Sequence, residues 1–168
     1  MIYLSEWQHG ATVYYLAASK KGVCYFGNNE RAVVMTWLGR HFNEDVLLGS
    51  PADAHNRKYM DDLTNYFNGS LTAFDWPFDL KGTPFQQLVW EQLLTVPYGR
   101  TLTYGDIAAR LNNSKAVRAV GGAIGRNPVM VAIPCHRIIG RNGKLTGFSG
   151  GLDIKRQLLD IEGIAYHD

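Results

Sequence analysis

At 168 residues the chain can bury a substantial core and has room for one domain or two small ones. Hydrophobic residues make up 46% and charged residues 19%, which excludes a disordered chain, and no run approaches the roughly 18 apolar residues of a membrane span. The formal net charge of +2 hides an asymmetry: residues 1–80 carry six Lys or Arg against nine Asp or Glu, and residues 81–168 carry eleven against six, so the second half suits a polyanion unless its basic face is merely solvated.

The opening residues, Met1-Ile2-Tyr3-Leu4-Ser5-Glu6-Trp7, lack the charged start and apolar run of a secretion signal. The stretch to about residue 27 reads as strands, with Ala11–Ala18 rich in Val and Tyr and Gly22–Phe26 following a Lys20-Lys21 turn. Residues 30–41 read as a buried helix through Ala32, Val33, Val34, Met35, Trp37 and Leu38. A second helix is expected from Asp53 to Asn68, with Tyr59, Met60, Leu63, Tyr66 and Phe67 on its apolar side and Gly69 closing it. Trp76–Leu80 reads as extended chain, and Lys81-Gly82 as a linker.

Thr83-Pro84-Phe85-Gln86 combines an N-cap, a proline at N1 and a glutamine at N3, a capping box that opens a helix with Phe85, Leu88, Val89 and Leu93 on one face. Pro97-Tyr98-Gly99 is a turn. Thr103-Tyr104-Gly105-Asp106 caps the next helix, whose core face is Ile107, Ala108 and Leu111. Asn112-Asn113-Ser114 then reads as a turn with Ser114 capping a further helix, and the pair makes a helix-turn-helix candidate. That further helix is slim, built on Ala116, Ala119, Gly121, Gly122, Ala123 and Gly125, with Arg118 its one long charged side chain. Each interior glycine costs about 1 kcal/mol relative to alanine. Tight helix packing and close approach to an outside surface such as a DNA groove both account for them.

Ile133-Pro134-Cys135-His136-Arg137 places a cysteine directly before a histidine, amid apolar residues. A thiol with an ordinary pKa is only about 3% ionised at pH 7, so a nucleophilic cysteine needs a base or a positive field. His136 supplies a base if its ring turns toward the sulfur, which asks for an irregular loop because strand neighbours face opposite ways. Arg137 and Arg126 would add positive field. The imidazole needs a partner on its other nitrogen, and the acids available are Glu91, Asp106, Asp153, Asp160, Glu162 and Asp168. Glu162 ends a helix expected over Leu152–Ile161, before Gly163, and could point inward. A buried cysteine packing as a small hydrophobe is the plainer reading of the dipeptide. Two cysteines, Cys24 and Cys135, make no disulfide framework and fit a reducing, cytoplasmic compartment. The five scattered histidines give no zinc spacing, so neither a metal nor a cofactor is expected.

At these residues the chain resembles the O6-alkylguanine-DNA alkyltransferases, the methylated-DNA–protein-cysteine methyltransferases. Four blocks occur in the family's order: Thr83-Pro84-Phe85-Gln86 through Trp90; Val96-Pro97-Tyr98-Gly99 with Thr103-Tyr104; Arg118-Ala119-Val120-Gly121 with Asn127-Pro128; and Ile133–Arg137 followed by Gly150-Gly151-Leu152. They span most of residues 83–163, and the N-terminal half matches only in general style.

The resemblance implies an α+β protein with two domains. Residues 1–80 would be a small α/β scaffold with an antiparallel sheet, and residues 81–168 a mainly helical, winged-helix-like domain with a helix-turn-helix. It implies irreversible, one-use transfer of an alkyl group to Cys135 from O6-alkylguanine, and from O4-alkylthymine, in double-stranded DNA. His136 would be a water-mediated base oriented by Glu162, and Asn127 would tie the helix-turn-helix to the reactive loop. Arg118 would enter the duplex from the minor groove as the nucleotide flips out, with Ser114, Ala119, Gly121 and Gly122 along the DNA. Tyr104, Ile138, Phe148 and Ser149 would form the substrate pocket. Phe148 departs from the family's frequent tyrosine and lacks its hydroxyl. The expected assembly is a monomer, with copies able to bind DNA side by side. A non-repairing, alkyltransferase-like lesion-binding protein is the alternative, but there the motif cysteine is replaced. A cysteine hydrolase using the same pair would turn over repeatedly.

Overall fold

The structure, a computed structural model, describes residues 1–168 and divides into two compact units, Met1–Lys81 and Gly82–Asp168.

In the first unit, β1 (Ile2–His9), β2 (Thr12–Ser19) and β3 (Gly22–Gly27) form an antiparallel meander, and Lys20-Lys21 makes the second turn. The sheet order is β3-β2-β1-β4. The fourth strand, β4 (Val46–Leu47), pairs parallel to β1, so the sheet is not wholly antiparallel as expected. Two residues have too short a period to announce a strand. Helix α1 (Arg31–His41) occupies the expected span, but only Val34 and Leu38 are buried while Val33 and Met35 are exposed. It is a surface helix: Val34, Trp37 and Leu38 recur at helical spacing and face the core, while the adjacent Val33 and Met35 fall on the outer side. Helix α2 (Ser50–Phe67) starts three residues early, with Pro51 in its first turn, and buries Ala52, Asn56, Met60, Leu63 and Phe67 at spacings of three and four. Buried Asn56 donates from Nδ2 to the Tyr3 carbonyl and the Ser5 hydroxyl, each at 3.0 Å, fastening α2 to β1. The extended Trp76–Leu80 stretch lies along β3, with Val23 N–H on the Pro77 carbonyl at 2.9 Å and Asp79 N–H on the Val23 carbonyl at 3.0 Å. Gly22 is what allows this approach: its φ is +151°, and a Cβ there would overlap the Pro77 carbonyl.

The second unit opens with α3 (Pro84–Leu93). Both bonds of its capping box are made: Gln86 N–H to Thr83 Oγ1 at 3.1 Å, and Thr83 N–H to Gln86 Oε1 at 3.0 Å. Its buried face is Val89, Trp90 and Leu93, while Leu88, expected inside, is exposed. Trp90 takes that place, and its indole N–H reaches the Ala123 carbonyl at 2.9 Å. A second capping box, Thr103 with Asp106, opens α4 (Tyr104–Arg110) directly after β5 (Leu102–Thr103). The turn through Asn112 (φ +57°) leads to α5 (Val117–Gly125). That helix begins beyond Ser114, and its N-cap, Ala116, offers no side-chain bond. Strand β6 (Ile138–Ile139) pairs parallel with β5, and α6 (Leu152–Ile161) completes the unit, ending in Glu162 and then Gly163 at φ +70°. No helix is long and apolar enough to cross a membrane.

Candidate active site

Asn127 organises the segment that carries the cysteine. Its Oδ1 accepts from Val129 N–H at 3.0 Å, and its Nδ2 donates to the Ile133 carbonyl at 2.9 Å. The amide therefore brackets five buried residues. Within the bracket, Ala132 N–H bonds the Met130 carbonyl at 2.8 Å across Val131, whose φ is +72°. A β-branched residue there is strained. A second three-residue turn follows: Cys135 N–H donates to the Ile133 carbonyl at 2.7 Å around Pro134, at φ −80° and ψ 64°. These are inverse γ-turn angles, and the proline ring fixes φ in advance. Cys135–Arg137 then make one turn of 3-10 helix, the irregular geometry that lets adjacent Cys135 and His136 escape the opposed faces of a strand.

His136 Nε2 lies 2.6 Å from Glu162 Oε2, and both side chains are fully buried. The same carboxylate accepts from Arg137 Nε at 2.8 Å, Arg137 Nη2 at 3.1 Å and Gly99 N–H at 3.0 Å. Burial works to raise the Glu162 pKa, but the hydrogen bonds from His136, Arg137 and Gly99 outweigh it and bring it down to about 2. Burial pushes His136 below its ordinary value, with Glu162 opposing, so the ring is neutral near pH 7. An ionised acceptor beside Nε2 keeps the ring proton there and makes Nδ1 the basic nitrogen.

Burial pushes the Cys135 thiol up to about 11, while the Asn127 side chain, the Lys155 charge and backbone N–H groups act to lower it. The resting sulfur is a thiol. Arg137, expected to supply positive field, is instead committed to Glu162 and, through Nη1 at 2.7 Å, to the Val96 carbonyl; Arg126 is exposed. The buried cation beside the reactive turn is Lys155, which sequence reasoning missed. Only 1% exposed, it donates from Nζ to the Ile138 carbonyl at 2.7 Å. Its position beside Ile154 and one turn before Leu158 and Leu159 puts it on the buried stripe of α6, a signal that the spacing carried.

Cys135 opens onto a cavity of about 390 Å³, lined also by Tyr104, Gly121, Ile124, Gly125, Gly147, Phe148 and Ser149. Its size suits a small-molecule group, for which sites of about 300–1,000 Å³ are usual. The Tyr104 hydroxyl is 2.6 Å from Thr146 Oγ1. Ile138, expected at this pocket, is wholly buried in β6 and does not line it. Ile124 and Gly125 take part because they stand one helical turn beyond Gly121. A side chain at Gly150 would press on Met130 Sδ at 2.7 Å and the Phe148 ring at 2.9 Å, so it would displace the ring that lines the cavity.

On α5, Arg118, Ala119, Gly122, Gly125 and Arg126 are exposed, as is Ser114 in the preceding turn. A Cβ at Gly121 would come 3.8 Å from the Tyr104 ring, one at Gly122 3.9 Å from Arg126, and one at Gly125 would meet nothing within 4 Å. Packing inside the unit therefore does not require these three glycines. No cluster of three or more His, Cys, Asp or Glu is placed to hold a metal ion.

Residues 84–164 match the family described as 6-O-methylguanine DNA methyltransferase, DNA binding domain. The inducible methylated-DNA–protein-cysteine methyltransferase of Bacillus subtilis is 40% identical over 151 residues, 89% of this chain and 83% of that protein. A methylated-DNA–protein-cysteine methyltransferase of Mycobacterium bovis is 54% identical over 103 residues, 61% of this chain and 62% of its own length. Among solved structures, Mycobacterium tuberculosis OGT in complex with DNA matches with a TM-score of 0.80 at 38% identity, covering 95% of this chain and 91% of that one. The O6-methylguanine-DNA methyltransferase of Pyrococcus kodakaraensis matches at 0.67 and 29%, covering 98% and 100%. The fold and the matched domain define a DNA-binding α+β protein of the helix-turn-helix type. Within that class, the chain belongs to the methylated-DNA–protein-cysteine methyltransferase family.

Proposed function

We propose that the protein repairs DNA by direct reversal, moving an alkyl group from O6-alkylguanine irreversibly onto Cys135. The observation that carries this reading is the buried thiol on a cavity shared with α5, backed by His136 and Glu162. The basic second unit attracts duplex DNA, and its affinity falls steeply with salt. The exposed glycine face of α5 lets that helix approach the minor groove closely. Arg118 fills the stack vacated by the flipped nucleotide, which partly offsets the unstacking cost of a few kcal/mol. Ser114 and the uncapped first turn of α5 face phosphate.

The Cys135 proton passes through water to His136 Nδ1, while Glu162 holds the ring and balances its charge. The sulfur pair then forms the S–C bond as the C–O6 bond breaks in line. The electrons leave with guanine, which takes up the proton that His136 received, relayed through water and the Tyr104 hydroxyl, while the Ser149 N–H bonds its oxygen. A thioether has no carbonyl for water to attack, so each molecule reacts once. Incubation with a duplex containing O6-methylguanine should add one methyl mass to the Cys135 peptide, with one equivalent repaired and then silence. An unmodified Cys135, or repeated turnover, would overturn the proposal.

A further inference from the structure

Lys155 is a charge that the steps above do not use, and its surroundings are unusual. Its side chain runs under the reactive turn from α6, and its ammonium bonds the Ile138 carbonyl, the first residue after Cys135–Arg137. On the other side it stands 5.9 Å from the centre of the Phe148 ring, which lines the cavity with Cys135. The ion pairs of this unit join Glu162 to His136 and Arg137, and Arg156 to Asp153 and Asp168; none includes Lys155. A buried ammonium with no carboxylate costs several kcal/mol unless some other group offsets it. One carbonyl and one aromatic face are partial compensation.

We infer that Lys155 is the counter-charge of the Cys135 thiolate: its ammonium, sealed beneath the reactive turn, stabilises the negative sulfur at the moment of attack and so sets the pH window of transfer. The inference rests on the proposed alkyl transfer. Around the sulfur the ionisable groups are His136, neutral and turned by Nε2 to Glu162; Arg137 and Glu162, neutralising each other; Tyr104 across the cavity, its hydroxyl on Thr146; and Lys155. Before the thiol proton moves, only Lys155 brings an uncompensated positive charge; once His136 holds that proton, its imidazolium adds to the same field. Burial pushes Lys155 down to about 8, and Cys135 opposes that fall, so near pH 7 the site holds an ammonium beside a thiol. When the thiol proton leaves for His136, the pair becomes ammonium and thiolate. When the S–C bond forms, the sulfur loses its charge and Lys155 stands alone again. Lys155 acts on the sulfur through its field and through the turn it braces, so it is a positioning residue with a charge.

The test is the pH profile of Cys135 alkylation by iodoacetamide, read by peptide mass, for wild type, Lys155→Met and Lys155→Arg. This reagent needs neither DNA nor a lesion, so it separates failure of the inference from failure of the repair proposal. Lys155→Met should slow alkylation about tenfold at pH 7, and the deficit should close as pH rises through about 8, where wild-type Lys155 loses its own proton. Lys155→Arg should restore the profile at least in part, and methyl transfer from DNA should fall in parallel. A deficit of the same size from pH 7 to pH 10 would reduce Lys155 to a brace and overturn the inference. Should Lys155→Met fail to fold, the wild type still decides. Its alkylation rate should rise about tenfold per unit up to about pH 8 and then level off as Lys155 loses its proton, and an unbroken tenfold rise through that range would overturn the inference.

Discussion

Replacing Glu162 with glutamine removes one charge from a group that accepts four hydrogen bonds, from His136, twice from Arg137, and from Gly99. The shape is kept, but one oxygen becomes an N–H donor facing a site built only of donors. Either His136 or Arg137 loses its acceptor, and the Arg137 guanidinium stays buried without a counter-charge. Removing one partner of a buried pair costs about 3–5 kcal/mol. The titration gives a second measure. The carboxyl falls from 4.5 to about 2 on folding, and at about 1.36 kcal/mol per unit that is on the order of 3 kcal/mol. Because the folded form binds its proton more weakly, this contribution is complete above about pH 4.5 and disappears as pH falls toward 2. Urea unfolding, followed by hydrogen exchange in peptides from residues 82–168, should show the variant weaker by about 3 kcal/mol at pH 7. Its deficit should shrink as the wild type is acidified. Single-turnover methyl transfer should slow at least about tenfold, within the 10²–10⁴ that a positioned base contributes. A variant within about 1 kcal/mol of wild type at pH 7, or acid limbs that superimpose, would refute the reasoning.

Arg118→Ala should weaken repair of duplex DNA far more than reaction with free O6-benzylguanine, because the free base needs no flipping; equal losses measured with both substrates would contradict the role given to Arg118. Gly22→Ala should destabilise the first unit by about 2–5 kcal/mol in urea, combining left-handed strain with the overlap on Pro77. Unfolding within about 0.5 kcal/mol of wild type would show that the Trp76–Leu80 stretch moves aside freely.

Local chemistry made much of the second unit legible. Thr83 with Gln86, Thr103 with Asp106, and Gly163 after Ile161 are signals complete within four residues, and the helices start and stop there. Ser114 misled because a serine before a slim helix satisfies the same pattern whether or not the backbone turns helical at once; here the chain makes another turn first. β4 and the exposure of Leu88 depend on which surfaces meet, and no local pattern states that. At the site, the sequence offered six acids for His136 and could not choose, since the choice rests on how α6 docks against the 3-10 turn. Lys155 was missed because its charge makes it look like surface, although its spacing from Leu158 and Leu159 puts it on the apolar stripe. The strained turn at Val131 left no trace at all, because valine is the residue least expected at a left-handed angle.

Val131 has a consequence for how the sulfur meets its target. Holding a buried valine at φ +72° costs on the order of 1–3 kcal/mol, and the Asn127 bracket maintains it before any ligand arrives. The nucleophile thus has its address assigned during folding. On the proposed mechanism, the turn that carries the sulfur then needs no ordering on encounter with DNA, which leaves more of the binding free energy for distorting the duplex. A reagent that acts a single time gains from this, since it has no later cycle in which to correct a poorly aimed first attempt.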